Sequence, residues 1–176
     1  MAISDKERKA NEIELVRKMA IKLRDDIADL ERYRNQGCPK NFLKFCDIRN
    51  FHNAIQGLVF VMQEKYPGVA NGLSANMGDW IVRAKMKALG LFVEISREFV
   101  SNPPLTLTGS LTARDVLANE SKNFVEARSF FNKVLMEQAL DDKTADQLDR
   151  TLVQIEETIA IIETLLSKSV NYLEEF

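Results

Sequence analysis

One histidine and two cysteines are the side chains of this sequence best suited to metal binding or nucleophilic chemistry, and their spacing favours neither. A structural zinc site needs four nitrogen or sulfur ligands, whereas the sequence offers only His52, Cys38 and Cys46. On one helix, Cys46 and His52 would lie about 9 Å apart along the axis, too far for the hydrogen bond that a Cys–His pair requires. We therefore expect no metal, no cofactor and no covalent catalysis.

The remaining chemical motifs are incomplete. Gly68, Gly72 and Gly78 fit neither the dinucleotide-binding nor the P-loop spacing. The adjacent carboxylates Asp141 and Asp142 stand where a helix is expected to begin, and acidic side chains are favoured there for structural reasons. The sequence thus predicts that the protein is not an enzyme and has no catalytic residues.

A phosphotransfer hypothesis rests on His52 alone. Histidine phosphotransfer domains are helical bundles with a His-x-x-Lys-Gly motif, which the segment from His52 to Gly57 resembles only in part. The glycine comes one residue late, and Ile55 replaces the lysine. His52 also falls on an apolar stripe between Ile48 and Ile55, whereas a phosphoacceptor must face solvent. We expect it to be buried and hydrogen-bonded, and keep a phosphotransfer-like protein as a third hypothesis.

Apolar residues recur at steps of three and four in five segments, the pattern of amphipathic helices. The predicted helices cover about 4–36, 41–65, 76–100, 113–139 and 142–175, and no segment alternates like a strand. Ser4 and Glu7 form a predicted capping box, Pro67 is expected to stop the second helix, and Thr112 to cap the fourth. The pattern predicts an all-α, five-helix bundle with long, heptad-patterned N- and C-terminal helices.

Length and composition predict one domain over residues 1–176. The sequence is 45% hydrophobic with a net charge of −2, enough apolar material for one core and too little charge for disorder. The uncharged stretch 50–63 is too short to cross a membrane. Two cysteines and an N-terminus without a signal peptide favour the cytoplasm.

The small net charge conceals an uneven distribution along the chain. Residues 1–50 carry a balance of +3, residues 51–100 of +1 and residues 101–176 of −6. Opposite charges attract, so we expect helix 5 to lie beside helix 1 or beside helix 1 of a second copy. Both helices, at about 50 Å, exceed what one compact bundle needs, which predicts a homodimer involving one of them.

These patterns favour a non-enzymatic protein–protein interaction or regulatory protein with an unidentified protein partner. The candidate partner surface comprises Trp80, Phe130, Leu105 and Leu107, while the other aromatic residues of the helices, Phe60 included, are expected in the core. The alternative is a nucleic-acid-associated regulator. It would use a basic patch at the turn between helices 1 and 2, formed by Arg32, Arg34, Lys40 and Lys44.

Overall fold

The structure, a computed structural model, describes residues 4–104, 107 and 110–174, with side chains up to residue 168. These residues form five α-helices and one short 3₁₀ turn, Ala70–Gly72, and contain no strand. The helices are α1 Asp5–Asn35, α2 Phe42–Val69, α3 Met77–Ser101, α4 Leu111–Glu137 and α5 Asp142–Glu174. The predicted all-α, five-helix bundle is confirmed. No helix among the described residues is long and apolar enough to cross a membrane.

Side-chain caps begin α1 and α5, whereas Asn76, which precedes α3, makes no such bond. The predicted capping box is present: Ser4 Oγ accepts from the Glu7 amide at 3.3 Å, and Glu7 accepts from the Ser4 amide at 3.0 Å. At α5, Asp141 accepts from the Thr144 amide at 2.8 Å, and this bond lowers the pKa of its carboxyl. Satisfying these amides favours helix starts at Asp5 and Asp142.

Two predicted helix ends were wrong. The fourth helix is capped by Ser110, whose hydroxyl accepts from the Ala113 amide at 3.3 Å, and not by Thr112. The second helix does not stop at residue 65 but continues through Pro67 to Val69. Pro67 is exposed, so the missing amide leaves a carbonyl that water can reach, while Val69 is buried in the core and favours the extra turn.

Helix α3 is the centre of the bundle. It packs against α1, α2 and α5, while α4 packs chiefly on α5. Twelve of its residues are buried, among them Phe92 and Phe99, which join a row of stacked rings with Phe45 and Phe124. Buried side chains from all five helices and from Leu107 belong to the same hydrophobic core.

Among the described residues, helices 1 and 5 do not make the extended contact that the sequence predicted. Each packs along α3, and α1 and α5 make no extended contact with one another. Burial of apolar area contributes about 25 cal/mol per Å², whereas exposed charge pairs contribute about 0–1 kcal/mol. The apolar stripes of α3 therefore outweigh the attraction between a basic α1 and an acidic α5. A contact with a second copy stays a prediction.

Candidate functional surfaces

His52 is buried between α2 and α3, as its place on the apolar stripe predicted. Its side chain is 5% exposed and stacks on Phe92, with 4.2 Å between ring centroids and 9° between planes. The Gln56 amide nitrogen lies 3.0 Å from Nε2, while Nδ1 has no partner among the described residues. Burial lowers the pKa of His52 from 6.5 to about 3. A phosphoacceptor needs access to solvent, so this geometry gives the phosphotransfer hypothesis no support.

A buried ion pair joins α2 to α4, one helical turn from His52. Arg49 of α2 donates to the carboxylate of Glu120 of α4, and Asn123 donates to the same oxygen at 3.2 Å. Glu120 is 1% exposed and Arg49 19%. Sequence reasoning missed this pair. The sequence did contain a signal for it, since Glu120 is an acidic residue on the apolar stripe between Leu117 and Phe124. A carboxylate buried there needs a partner, so a basic or hydrogen-bonding partner could have been predicted.

The two cysteines are free thiols, Cys38 exposed and Cys46 half-buried. Partial burial raises the pKa of both thiols, which keeps them protonated and less nucleophilic. Within the described part of the chain, no cluster of three or more His, Cys, Asp or Glu side chains is placed to hold a metal ion.

The four residues of the predicted basic patch do not share one surface environment: three contact different groups of the chain, and the fourth is exposed. Arg32 pairs with Asp29 of its own helix. Arg34 turns toward α3, where it pairs with Glu94 at 3.2 Å. The Lys44 ammonium lies over the Tyr33 ring, 5.2 Å from its centroid. Lys40 is exposed. Both arginines are thus engaged by carboxylates of the chain itself.

The residues of the predicted partner surface do not form one exposed surface either. Leu107 is buried in the core, so its assignment to an exposed surface was wrong, because the connection between α3 and α4 folds this side chain inward. Trp80 and Phe130 are half-buried and pack on the core, and the Lys85 ammonium covers the Phe130 ring at 4.3 Å. Leu105 lies outside the described residues.

One face of α2 is exposed and carries no charge. Phe60, expected in the core, is 63% exposed, because at its position on α2 it points away from α1 and α3. With its neighbours it forms what we call the α2 face: Asn50, Asn53, Ala54, Gly57, Phe60 and Val61, of which only Val61 is half-buried. No charged residue occurs between Asn50 and Gln63. A surface that is uncharged and partly apolar is typical of a protein contact.

An open groove separates α1 from α5 above α3, where the sequence predicted a contact. Its volume is about 1060 Å³, at the upper end of the range for ligand pockets. Gly90 and Met86 of α3 form part of its floor, and α1 and α5 form its walls. Its charged lining residues are five basic and three acidic ones: Arg34, Arg83, Lys87, Lys143 and Arg150, with Glu31, Glu94 and Asp146.

Comparison with known proteins gives no relative: no family model, curated protein or solved structure matches this chain. Its function is therefore inferred from its own surfaces.

Proposed function

We propose that this protein is a non-enzymatic interaction protein that acts as a homodimer, with two copies packed through the α2 face. Gly57 is the observation that carries the proposal. A glycine inside a helix destabilises it by about 1 kcal/mol relative to alanine, yet a Cβ at Gly57 would meet nothing within 4 Å. Its φ is not positive either, since among the described residues only Gly37 has such a φ. No feature of the described residues requires this glycine, whereas close approach of a second helix to the uncharged α2 face, on which Gly57 lies, would.

The α2 face is complementary to itself. In a two-fold antiparallel crossing at Gly57, residues equally far before and after it lie opposite one another. Ala54 then opposes Phe60 of the second copy, so that a small side chain receives a large one. Asn53 opposes Val61 in the same way. No like charges meet, because residues 50–63 are uncharged.

The structure favours α2 over the start of α1 as the site of this contact. Residues 4–11, at the start of α1, are all exposed, but the segment contains no apolar residue larger than Ala10. Such a charged end offers little area for a stable contact. The homodimer of the sequence prediction is retained in the proposal, and its interface moves from α1 or α5 to α2.

We also propose that the protein is cytoplasmic, and this and its non-enzymatic character have separate support. The histidine is buried, both thiols have a raised pKa, and no metal cluster occurs in the described residues. Two free thiols fit a reducing compartment. The nucleic-acid alternative has less support, because Arg32 and Arg34 pair with acidic residues of the chain.

Light scattering on the size-exclusion eluate tests the dimer. At tens of micromolar we expect twice the 20.1 kDa mass of one chain, and Phe60→Ser should give the monomer mass. Met136→Ser is the matched control, since Met136 is an exposed apolar residue of α4, away from the α2 face. A monomeric wild-type protein, or equal loss of dimer in both variants, would overturn the proposal.

Gly57→Ala separates folding from association. The variant should stabilise the isolated chain by about 0.5–1 kcal/mol and raise the dimer dissociation constant at least tenfold, because the added methyl groups meet at the crossing. Gly68→Ala, also helical with no atom within 4 Å of an added Cβ, should leave association unchanged. A Gly57→Ala protein that dimerises as tightly as wild type contradicts a crossing at this residue.

A further inference from the structure

We propose that the groove between α1 and α5 binds an acidic peptide segment of a partner protein. This inference is independent of the dimer, because the groove is formed mainly by α1, α3 and α5 and the α2 face by α2 alone. Either proposal can fail while the other holds.

The groove has a positive net charge, whereas the chain as a whole has a negative one. The whole sequence has a net charge of −2, whereas the groove has five basic and three acidic lining residues. The difference is clearest on α5, which contains seven acidic and only three basic residues. Two of those three, Lys143 and Arg150, line the groove. The acidic helix thus places most of its positive charge on this side.

Four of the five cations of the groove fall into a paired end and an unpaired end; the fifth, Arg83, interacts electrostatically with Asp141. Near the end of α1, Lys87 pairs with Glu31 at 3.4 Å and Arg34 with Glu94 at 3.2 Å. Near the start of α5, Lys143 and Arg150 form no ion pair with any carboxylate that the structure describes. Unpaired cations along a cleft wall attract an anionic ligand. The expected binding end is therefore the one at the start of α5.

The spacing of the polar side chains suits an elongated ligand. Lys143, Gln147, Arg150 and Gln154 follow each other at steps of four, three and four, which keeps them on one side of α5. Lys143 and Gln154 are eleven residue steps apart, or about 17 Å of helix, equal to about five residues of extended peptide at 3.3 Å each. Gln147, between the two cations, carries an amide that can both donate to and accept from a peptide backbone.

The groove favours an acidic peptide over a nucleic acid. Its aromatic lining residue, Phe131, is fully buried and offers no ring on which a base could stack. Three carboxylates, Glu31, Glu94 and Asp146, would also repel a continuous row of phosphates. A peptide meets both conditions, because its acidic side chains can contact Lys143 and Arg150 while its neutral residues lie beside the three carboxylates.

Fluorescence anisotropy with a fluorescein-labelled oligoglutamate tests the assignment on the full-length protein. We expect saturable binding that weakens as salt is added, and no binding of labelled oligolysine. The charge reversal Lys143→Glu with Arg150→Glu should weaken binding at least tenfold. The neutral pair Lys143→Gln with Arg150→Gln, a smaller disturbance for the fold, should fall between it and wild type.

The matched control reverses two exposed lysines of α4, Lys122→Glu with Lys133→Glu, and so changes the net charge equally outside the groove. It should retain oligoglutamate binding to within about twofold. Equal loss in the control would show that the peptide responds only to overall charge, and would overturn the site. Tighter binding of a labelled single-stranded oligonucleotide, lost on the Lys143 and Arg150 reversal, would overturn the choice of a peptide.

Discussion

On the side of α3 that faces α2 and α4, the Arg49–Glu120 pair is buried, whereas on the side that faces α1 and α5 the pairs of Arg34 and Lys87 lie along an open groove. Glu120 is withdrawn from water almost completely, while every member of the groove pairs is at least one third exposed. The same types of charge therefore experience very different surroundings within one bundle.

The difference shows how the two interfaces work. Water screens the groove pairs, so Lys87 and Arg34 can exchange Glu31 and Glu94 for an anionic ligand at little free-energy cost. The buried carboxylate of Glu120 has no such freedom, because losing Arg49 would leave a charge without solvation. The pair fixes the position of Glu120 of α4 relative to Arg49 of α2, while the groove remains available for exchange.

The largest expected effect comes from removing the cation of the buried pair. Arg49→Met should lower the free energy of unfolding by about 3–5 kcal/mol, because Glu120 is left buried and unpaired. Urea denaturation followed by circular dichroism measures it.

The double variant Arg49→Met with Glu120→Leu controls for lost packing. It should recover most of the stability, since neither charge remains. A loss below 1 kcal/mol for Arg49→Met alone would show that this pair is solvated like those of the groove, and the contrast between the two sides would disappear.

A pH series tests the burial of His52 on the same closed side. The pKa is about 3 in the folded protein and 6.5 in the unfolded chain, so the unfolded chain binds more protons between these values. This contribution to stability is complete above pH 6.5 and decreases by up to about 1.4 kcal/mol per unit as the pH falls toward 3. His52→Gln has no group that titrates there. In urea titrations at several pH values, the stability of the wild-type protein relative to His52→Gln should therefore decrease as the pH falls, and a difference that does not change with pH would contradict a buried, neutral imidazole.

The smallest effect is expected on the open side. Arg34→Ala should change the free energy of unfolding by no more than about 1 kcal/mol, because Arg34 and Glu94 are both solvated. Adding salt should shrink this difference further. A loss as large as that of Arg49→Met, measured in the same urea titrations, would place Arg34 among the buried charges.

The helices were predictable because their signals are local. Apolar steps of three and four lie within single segments, and His52 could be placed in the core from its neighbours Ile48 and Ile55. Glu120 was visible as an acid on an apolar stripe, but its partner depends on which helices meet, and no local pattern specifies that α2 faces α4.

The groove could not be predicted from the sequence for a related reason. The opposite charges of α1 and α5 predicted a contact, whereas the order of helices around α3 follows the larger burial energy of its apolar stripes. Phe60 illustrates the same limit, because at a boundary of the buried arc of α2 the apolar pattern does not determine which side chain is covered.

Because α3 is packed between several other helices, its backbone amide hydrogens should exchange slowly with heavy water. Amide hydrogens near its middle, around Phe92, are reached only when the whole bundle opens, so their exchange reports the global free energy of unfolding without any denaturant. The first turns of α1, where residues 4–11 are all exposed, exchange by fraying at the helix end. One time course in deuterated buffer thus reads the strongest and the weakest parts of the molecule together.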